Sequence, residues 1–257
     1  MKTKGIGFRM YLRSVQLTTN TFLGDDAYLD SIPAVQSLGS LDLSRAPVTF
    51  FVGENGSGKS TLLEAIAVAS GFNPEGGSRN FHFSSADTHS GLHQYLRLVR
   101  AATRPRDGYF LRAESFYNVA SNIDLLDEGS GELTASYGGR SLHQQSHGES
   151  FLSLVLNRLG GNGLYILDEP EAALSPSRQL ALLTAIHRMV NARSQLLIAT
   201  HSPILSAYPN AIIYQLDETG IAPIRYEDTE QYRITRAFLD NPKRMLSMLM
   251  EDDPANS

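Results

Sequence analysis

Cysteine is absent from the 257-residue chain, which excludes disulfides, thiolate metal sites and cysteine nucleophiles together. That absence permits a reducing compartment, and a cytoplasmic protein is expected. No apolar run approaches the ~20 residues of a membrane-spanning helix, and the lysines of Met1-Lys2-Thr3-Lys4-Gly5-Ile6-Gly7 precede no apolar core of a signal peptide. No direct membrane insertion is expected. Strong positive charge is missing too. The formal net charge of −5 argues against a uniformly basic nucleic-acid binder, although a local positive groove is compatible with that sum. Internal repeats, low-complexity tracts and a long coiled-coil insertion are also lacking. The length suits one large domain, or a core with a subdomain.

What is present is centred on Gly53-Glu54-Asn55-Gly56-Ser57-Gly58-Lys59-Ser60-Thr61. An apolar run, Val48 to Val52, precedes it as a strand covered on both faces, and an apolar helix comes after it from Lys59 to about Ser70, stopping at Gly71. Glycine at 53, 56 and 58 lets the backbone wrap closely, so that N–H groups of Asn55 to Thr61 and the helix start face an anion. Lys59 is placed to reach β- and γ-phosphates, and Ser60 to bind Mg²⁺. Nucleotide binding is the reading this context supports.

Two further blocks carry chemistry. The apolar run Leu164 to Leu167 ends in Asp168-Glu169-Pro170. Asp168 suits the metal shell and Glu169 suits acceptance of a proton from an attacking water. Taken alone, the pair also fits an acidic helix start favoured by the macrodipole. The run Leu196 to Ala199 leads to Thr200-His201, at the carboxyl end of a parallel strand, where side chains face the ligand crevice. His201 there can bond the γ-phosphate or fix the water beside Glu169. As a lone histidine it also fits a structural role.

The remaining pattern predicts an opening strand within Phe8 to Leu17, a short second strand within Tyr28 to Val35, and a glycine- and serine-rich loop over 71–91. A helix is predicted over Leu92 to Ala101, a strand over Tyr109 to Ala113, and a helix over Ser115 to Leu126. Another helix runs from about Gly148 to Leu159. Pro176 to Asn191 is amphipathic, with Leu180, Leu183, Ile186 and Val190 on one stripe. Gln195 to Ala199 reads as a strand, Ala211 to Leu216 with Ile221 to Tyr226 as a hairpin, and Glu230 to Leu239 and Pro242 to Met250 as terminal helices. The apolar last helix, rich in methionine, is expected to dock on its own domain.

Taken in order, the blocks Gly53 to Thr61, Ser146-His147-Gly148-Glu149-Ser150, Leu164 to Glu169, Glu171-Ala172-Ala173-Leu174-Ser175 and Thr200-His201 resemble the ATP-binding-cassette (ABC) class of P-loop ATPases. Within it they are most similar to the soluble branch related to chromosome-maintenance and repair ATPases. The resemblance implies an α/β fold: a mostly parallel core sheet, an antiparallel N-terminal β portion and a small helical lobe. It implies one domain over 1–257, with 1–72 and 160–257 as the core lobe and approximately 73–159 as the helical, signature-bearing lobe. It further implies Mg-dependent ATP hydrolysis and an ATP-dependent head-to-tail homodimer, in which Ser146 and Gly148 contact the γ-phosphate held by the other copy.

Some residues depart from the family pattern. His147 stands in a glycine place, Glu149 where transporters commonly carry glutamine, and Ser175 where they carry aspartate. No clear glutamine marks the metal-sensing loop, and Glu114 is its positional candidate. Phe22 and Tyr28 are candidates for stacking on adenine. Arg97, Arg100, Arg104, Arg106 and Arg112 are read as a solvated face, with phosphates of a nucleic acid as the alternative. His143 and His147 have no third ligand beside them, so Mg²⁺ is the metal assigned. Competing readings are the ATP-binding subunit of a membrane transporter and an ATP-gated nucleic-acid-binding or defence module. A small-molecule kinase leaves 146–150 and Thr200-His201 unexplained.

Overall fold

The computed structural model describes residues 10–79, 90–113 and 147–250. Its centre is a seven-stranded sheet. The strands are β3 (Val48–Val52), β4 (Gly77–Ser78), β6 (Asp107–Arg112), β7 (Gly163–Asp168), β8 (Gln195–Ala199), β9 (Ile212–Asp217) and β10 (Gly220–Ile224). Their order is β10-β9-β3-β8-β7-β6-β4. The five from β9 to β6 are parallel, and antiparallel β10 and β4 close the two edges. A second, antiparallel sheet pairs β1 (Leu12–Leu17) with β2 (Ser40–Asp42) on one side and β5 (Leu96–Arg100) on the other.

Alternation of side chains along the strands splits the core into two layers. Phe50, Tyr165, Leu167 and Ile198 point to one face, where they meet Phe151 and Leu154 of α3 (His147–Arg158) and Leu182, Ile186 and Met189 of α4 (Pro176–Asn191). Phe51, Ile166 and Leu197 point to the other, against Leu62, Leu63 and Ile66 of α2 (Lys59–Ala69) and against Leu12, Val15 and Leu41 of the small sheet. Strands β3, β7 and β8 are buried along their whole length, which is why they read as apolar runs. Gln195 is one of the buried polar residues in these strands. Its Oε1 accepts from the N–H groups of Tyr11 and Leu12, and its Nε2 donates to the carbonyls of Leu12 and Leu43, clipping the small sheet to the large one.

Several expectations are corrected. Tyr28 to Val35 is not a strand: 24–31 forms a 3₁₀ helix and Pro33–Gln36 a helical turn, α1, with proline at its first position. The expected helix over Leu92 to Ala101 is a 3₁₀ turn, Gly91–Tyr95, followed by strand β5. By hydrogen bonding, β5 belongs to the small sheet and β6 to the large one. The helix expected over Ser115 to Leu126 lies outside the described residues. On α4 the buried stripe is Leu182, Ala185, Ile186, Met189 and Val190, whereas Leu180 is 58% exposed. Neither α5 (Glu230–Asp240) nor α6 (Pro242–Met250) buries a residue, and Leu249 at 73% exposure shows that the last helix is not docked as expected.

Candidate functional site

The carboxyl ends of β3, β7 and β8 lie side by side, because the strands are parallel and near neighbours. The segments leaving these strands therefore collect at one edge of the sheet, the usual position of a ligand crevice in such sheets. After β3 the chain turns through Gly53 to Gly58. A Cβ on Gly53 would run into the Leu216 carbonyl, and Gly58 caps α2 in the left-handed region at φ 92°. Asn55 and Gly56 are exposed at the loop tip, while Ser57 presents a buried hydroxyl with no hydrogen-bond partner among the described residues. An orphaned donor beside free helix N–H groups fits an anion.

Lys59 opens α2, with Ser60 and Thr61 in the same first turn. Its ammonium is buried and donates to the carbonyls of Gly53 at 2.9 Å and Glu54 at 2.7 Å. Burial lowers its pKa, and the charges of Glu169, Asp168 and Glu171 oppose that shift. The lysine is thus a desolvated cation held inside the loop, primed to exchange carbonyls for phosphate oxygens.

Asp168 ends β7, is 5% exposed, and accepts from the Ser60 hydroxyl at 3.0 Å. These two hard oxygen donors fit Mg²⁺, which is bound by one or two protein oxygens with the rest of its shell supplied by phosphates and water. No group of three or more histidine, cysteine, aspartate or glutamate side chains able to hold a metal occurs among the described residues. Glu169 comes next with φ 48°, an uncommon conformation for a side chain of this size that marks a functional turn. Its carboxylate Oε1 stands 3.4 Å from His201 Nε2. Backbone bonds hold this geometry: Glu169 N–H donates to the Ala199 carbonyl and Thr200 N–H to that of Phe51, both at 3.0 Å.

Three contributors do not stand out as site residues in the sequence. Glu171 accepts from the His201 N–H at 2.5 Å, and burial pushes its carboxyl pKa up against the lowering effect of that bond. Arg112, expected on a solvated face, is mostly buried. It binds Glu64 of α2 at 2.5 Å and lies 3.7 Å from Asp168. The available signal was register, since Arg112 ends β6 directly beside Asp168 on β7. Arg178 bonds Glu149 at 2.8 Å, joining the start of α4 to the start of α3.

Gly148 sits in the first turn of α3, packed so closely on the 171–175 loop that a Cβ would meet the Ala173 carbonyl. Ser175 then caps α4 by accepting from Arg178 N–H, with Pro176 at the first helical position. Ser146 and Glu114 lie outside the described residues, as does His143. Phe22 is buried edge-on against Tyr95 and offers no face for stacking.

A family model described as "AAA domain" matches residues 35–140, and one described as "AAA domain, putative AbiEii toxin, Type IV TA system" matches residues 136–207. Phospholipid-transporting ATPase ABCA7 of Homo sapiens is 29% identical over 66% of this chain, a stretch equal to 8% of that protein's length. Nickel import ATP-binding protein LarO of Lactiplantibacillus plantarum is 26% identical over 82% of this chain and 91% of its own. Among solved structures, the SMC head domain from Thermotoga maritima is 13% identical with a TM-score of 0.44, covering 84% of this chain and all of that one.

Proposed function

We propose that this chain, which belongs to the ABC class of P-loop ATPases, hydrolyses Mg-ATP to ADP and phosphate within a dimer whose two copies share the nucleotides. The observation that carries this reading is the meeting of Lys59, Ser60, Asp168, Glu169 and His201 at one sheet edge, contributed by three separate strand ends. Lys59 leaves the loop carbonyls for the β- and γ-phosphate oxygens, and the N–H groups of 56–61 surround the rest of the triphosphate. Ser60 and Asp168 would hold Mg²⁺, which would supply neutralisation of phosphate charge. Glu169 Oε1 takes a proton from the water that attacks the γ-phosphorus in line. The bond to the bridging oxygen breaks and ADP leaves. His201 steadies the γ-phosphate and the water, and Glu171 fixes the backbone from which His201 projects.

The dimer is inferred from the placement of α3. Its first turn, at Gly148, is seated on the 171–175 loop of the same copy, and its N–H groups suit the γ-phosphate of the other. Ser146 is assigned the same contact. Glu114 is proposed as the metal-sensing residue on the strength of the sequence alone. The whole chain is read as one domain, with 1–72 and 160–257 as its core lobe and approximately 73–159 as the signature-bearing lobe. Purified protein tests the catalytic part: phosphate release from Mg-ATP is expected, slowed by about 10²–10⁴ in Glu169→Gln. Equal turnover by both forms removes Glu169 from this role.

A second reading, the energising subunit of a membrane transporter, draws on the match to an import ATP-binding protein along most of that protein's length. Co-purification with a membrane chain would favour it. No described helix is long and apolar enough to cross a membrane. A nucleic-acid-binding or defence role, in line with the description of the 136–207 match, predicts ATP-dependent, salt-sensitive retention of nucleic acid.

A further inference from the structure

Asp168 divides its carboxylate between two neighbours. Oδ1 accepts from the Ser60 hydroxyl at 3.0 Å, and Oδ2 lies 3.7 Å from Arg112 Nε. The second contact follows from register: Arg112 and Asp168 are paired across β6 and β7, so their side chains leave the sheet on the same face. Arg112 is held in turn by α2 and the segment after it. Its Nη1 donates to Glu64 Oε2 at 2.5 Å and to the Pro74 carbonyl at 3.3 Å. Glu64 stands one helical turn beyond Ser60 on α2, on the same face. Its other oxygen, Oε1, accepts from the Ser90 N–H at 3.0 Å.

Ser60, Asp168, Arg112 and Glu64 therefore form a closed ring, with a turn of α2 as its last side. Asp168 and Glu64 are buried, and the side chain of Arg112 is only 18% exposed, so none of the three turns without giving up a charged contact. The Arg112 and Glu64 charges offset one another. A cation at Ser60 Oγ and Asp168 Oδ1 thus meets the negative charge of Asp168 through one carboxylate oxygen.

That constraint separates divalent cations by how they use a carboxylate. Mg²⁺ demands a near-ideal octahedron at about 2.0–2.1 Å and keeps several waters, whereas Ca²⁺ gathers about 6–8 oxygens and readily takes both oxygens of one carboxylate. Two-oxygen binding at Asp168 requires Oδ2 to leave Arg112, which strips a mostly buried guanidinium of one of its charge partners. We propose that Arg112, fixed by Glu64, is a positioning residue that confines Asp168 to one-oxygen coordination and so sets the preference of the site for Mg²⁺ over Ca²⁺. The proposal rests on the reading of Ser60 and Asp168 as the metal site. Arg112 acts on the ion through Asp168.

The test measures binding of a non-hydrolysable ATP analogue by calorimetry in Mg²⁺, in Ca²⁺ and in EDTA, to the wild type, to the double variant Glu64→Leu/Arg112→Leu and to Arg112→Gln. The double variant removes the buried pair as a unit and leaves neither charge stranded. Both ions carry the same charge, so a change in the net charge of the site moves both affinities alike, and their ratio reports coordination. Wild type is expected to bind the Mg²⁺ form about tenfold or more tightly than the Ca²⁺ form, the scale on which groups behind a metal ligand act. Both variants should bring that ratio close to one, chiefly by tighter binding of the Ca²⁺ form, while metal-free binding through the Lys59 cradle stays as in wild type. Thermal unfolding shows that each variant is folded, and Arg112→Gln decides alone if the double variant is not. Variants that keep the wild-type ratio, or a wild type indifferent to the two ions, overturn this inference and leave the metal site standing. A fall in metal-free binding alongside the ratio marks a merely structural role and also overturns it. A wild type whose binding responds to neither ion overturns the metal-site reading and this inference with it.

Discussion

The Ser60 hydroxyl donates to Asp168 Oδ1 across 3.0 Å, although the two residues are 108 positions apart in the chain. The contact joins the first turn of α2 to the end of β7 and so fixes the distance between the phosphate loop and the acidic strand end. Arg112 and Glu64 reinforce it from β6 and from the next turn of α2. Chemistry at this edge depends on that spacing, since in-line displacement tolerates little misplacement.

Removing the lysine tests the cradle. Lys59→Ala deletes a buried cation whose bonds to phosphate are charge-assisted, so ATP affinity should fall by about 10- to 100-fold. The loop carbonyls of Gly53 and Glu54 lose their donor at the same time. Calorimetric titration checks the affinity, and circular dichroism shows whether the fold persists.

The acid limb of stability is governed in part by Asp107. Burial alone would raise its pKa, but the Arg158 hydrogen bonds and charge and the Tyr165 hydroxyl outweigh that and lower it. A carboxyl lowered in the folded state contributes stability that is fully present above the ordinary value near 3.8 and is lost as pH falls through the folded value. Asp107→Asn should therefore cost about 1–3 kcal/mol at neutral pH, with the gap from wild type closing below pH about 4. Urea midpoints at several pH values measure both effects. A gap that grows on acidification contradicts the assignment.

How much of the fold and site was legible in the sequence depends on how local each signal is. The run from β3 through the glycine loop into α2 was readable because strand, loop and helix start are contiguous and each needs its own residue types. The strands β7 and β8 were readable because burial on both faces leaves unbroken apolar runs. Over 96–100 the sequence suggests helix where the structure has a strand: Leu96, Leu98 and Val99 fit either spacing over so short a span, and pairing with distant β1 decides the outcome. The role of the Gln195 amide leaves no periodic trace at all. It depends on a partner 184 residues away in the chain.

Substituting Gly148 probes the seat of the signature turn. In Gly148→Ala the added Cβ would collide with the Ala173 carbonyl and crowd Arg178, pushing the start of α3 off the 171–175 loop. Overpacking of this kind costs about 1–3 kcal/mol. Thermal unfolding should register that loss, while ATP binding to the isolated copy, which uses the cradle, stays close to wild type.

The shared nucleotide is the core of the account, and Glu169→Gln isolates it by slowing turnover while leaving the triphosphate contacts in place. Its mass in solution, measured by sedimentation with and without Mg-ATP, is the most direct test. The account predicts one chain without nucleotide and two with it, the pair dissociating when ADP replaces ATP. A single-chain mass at saturating ATP would contradict it.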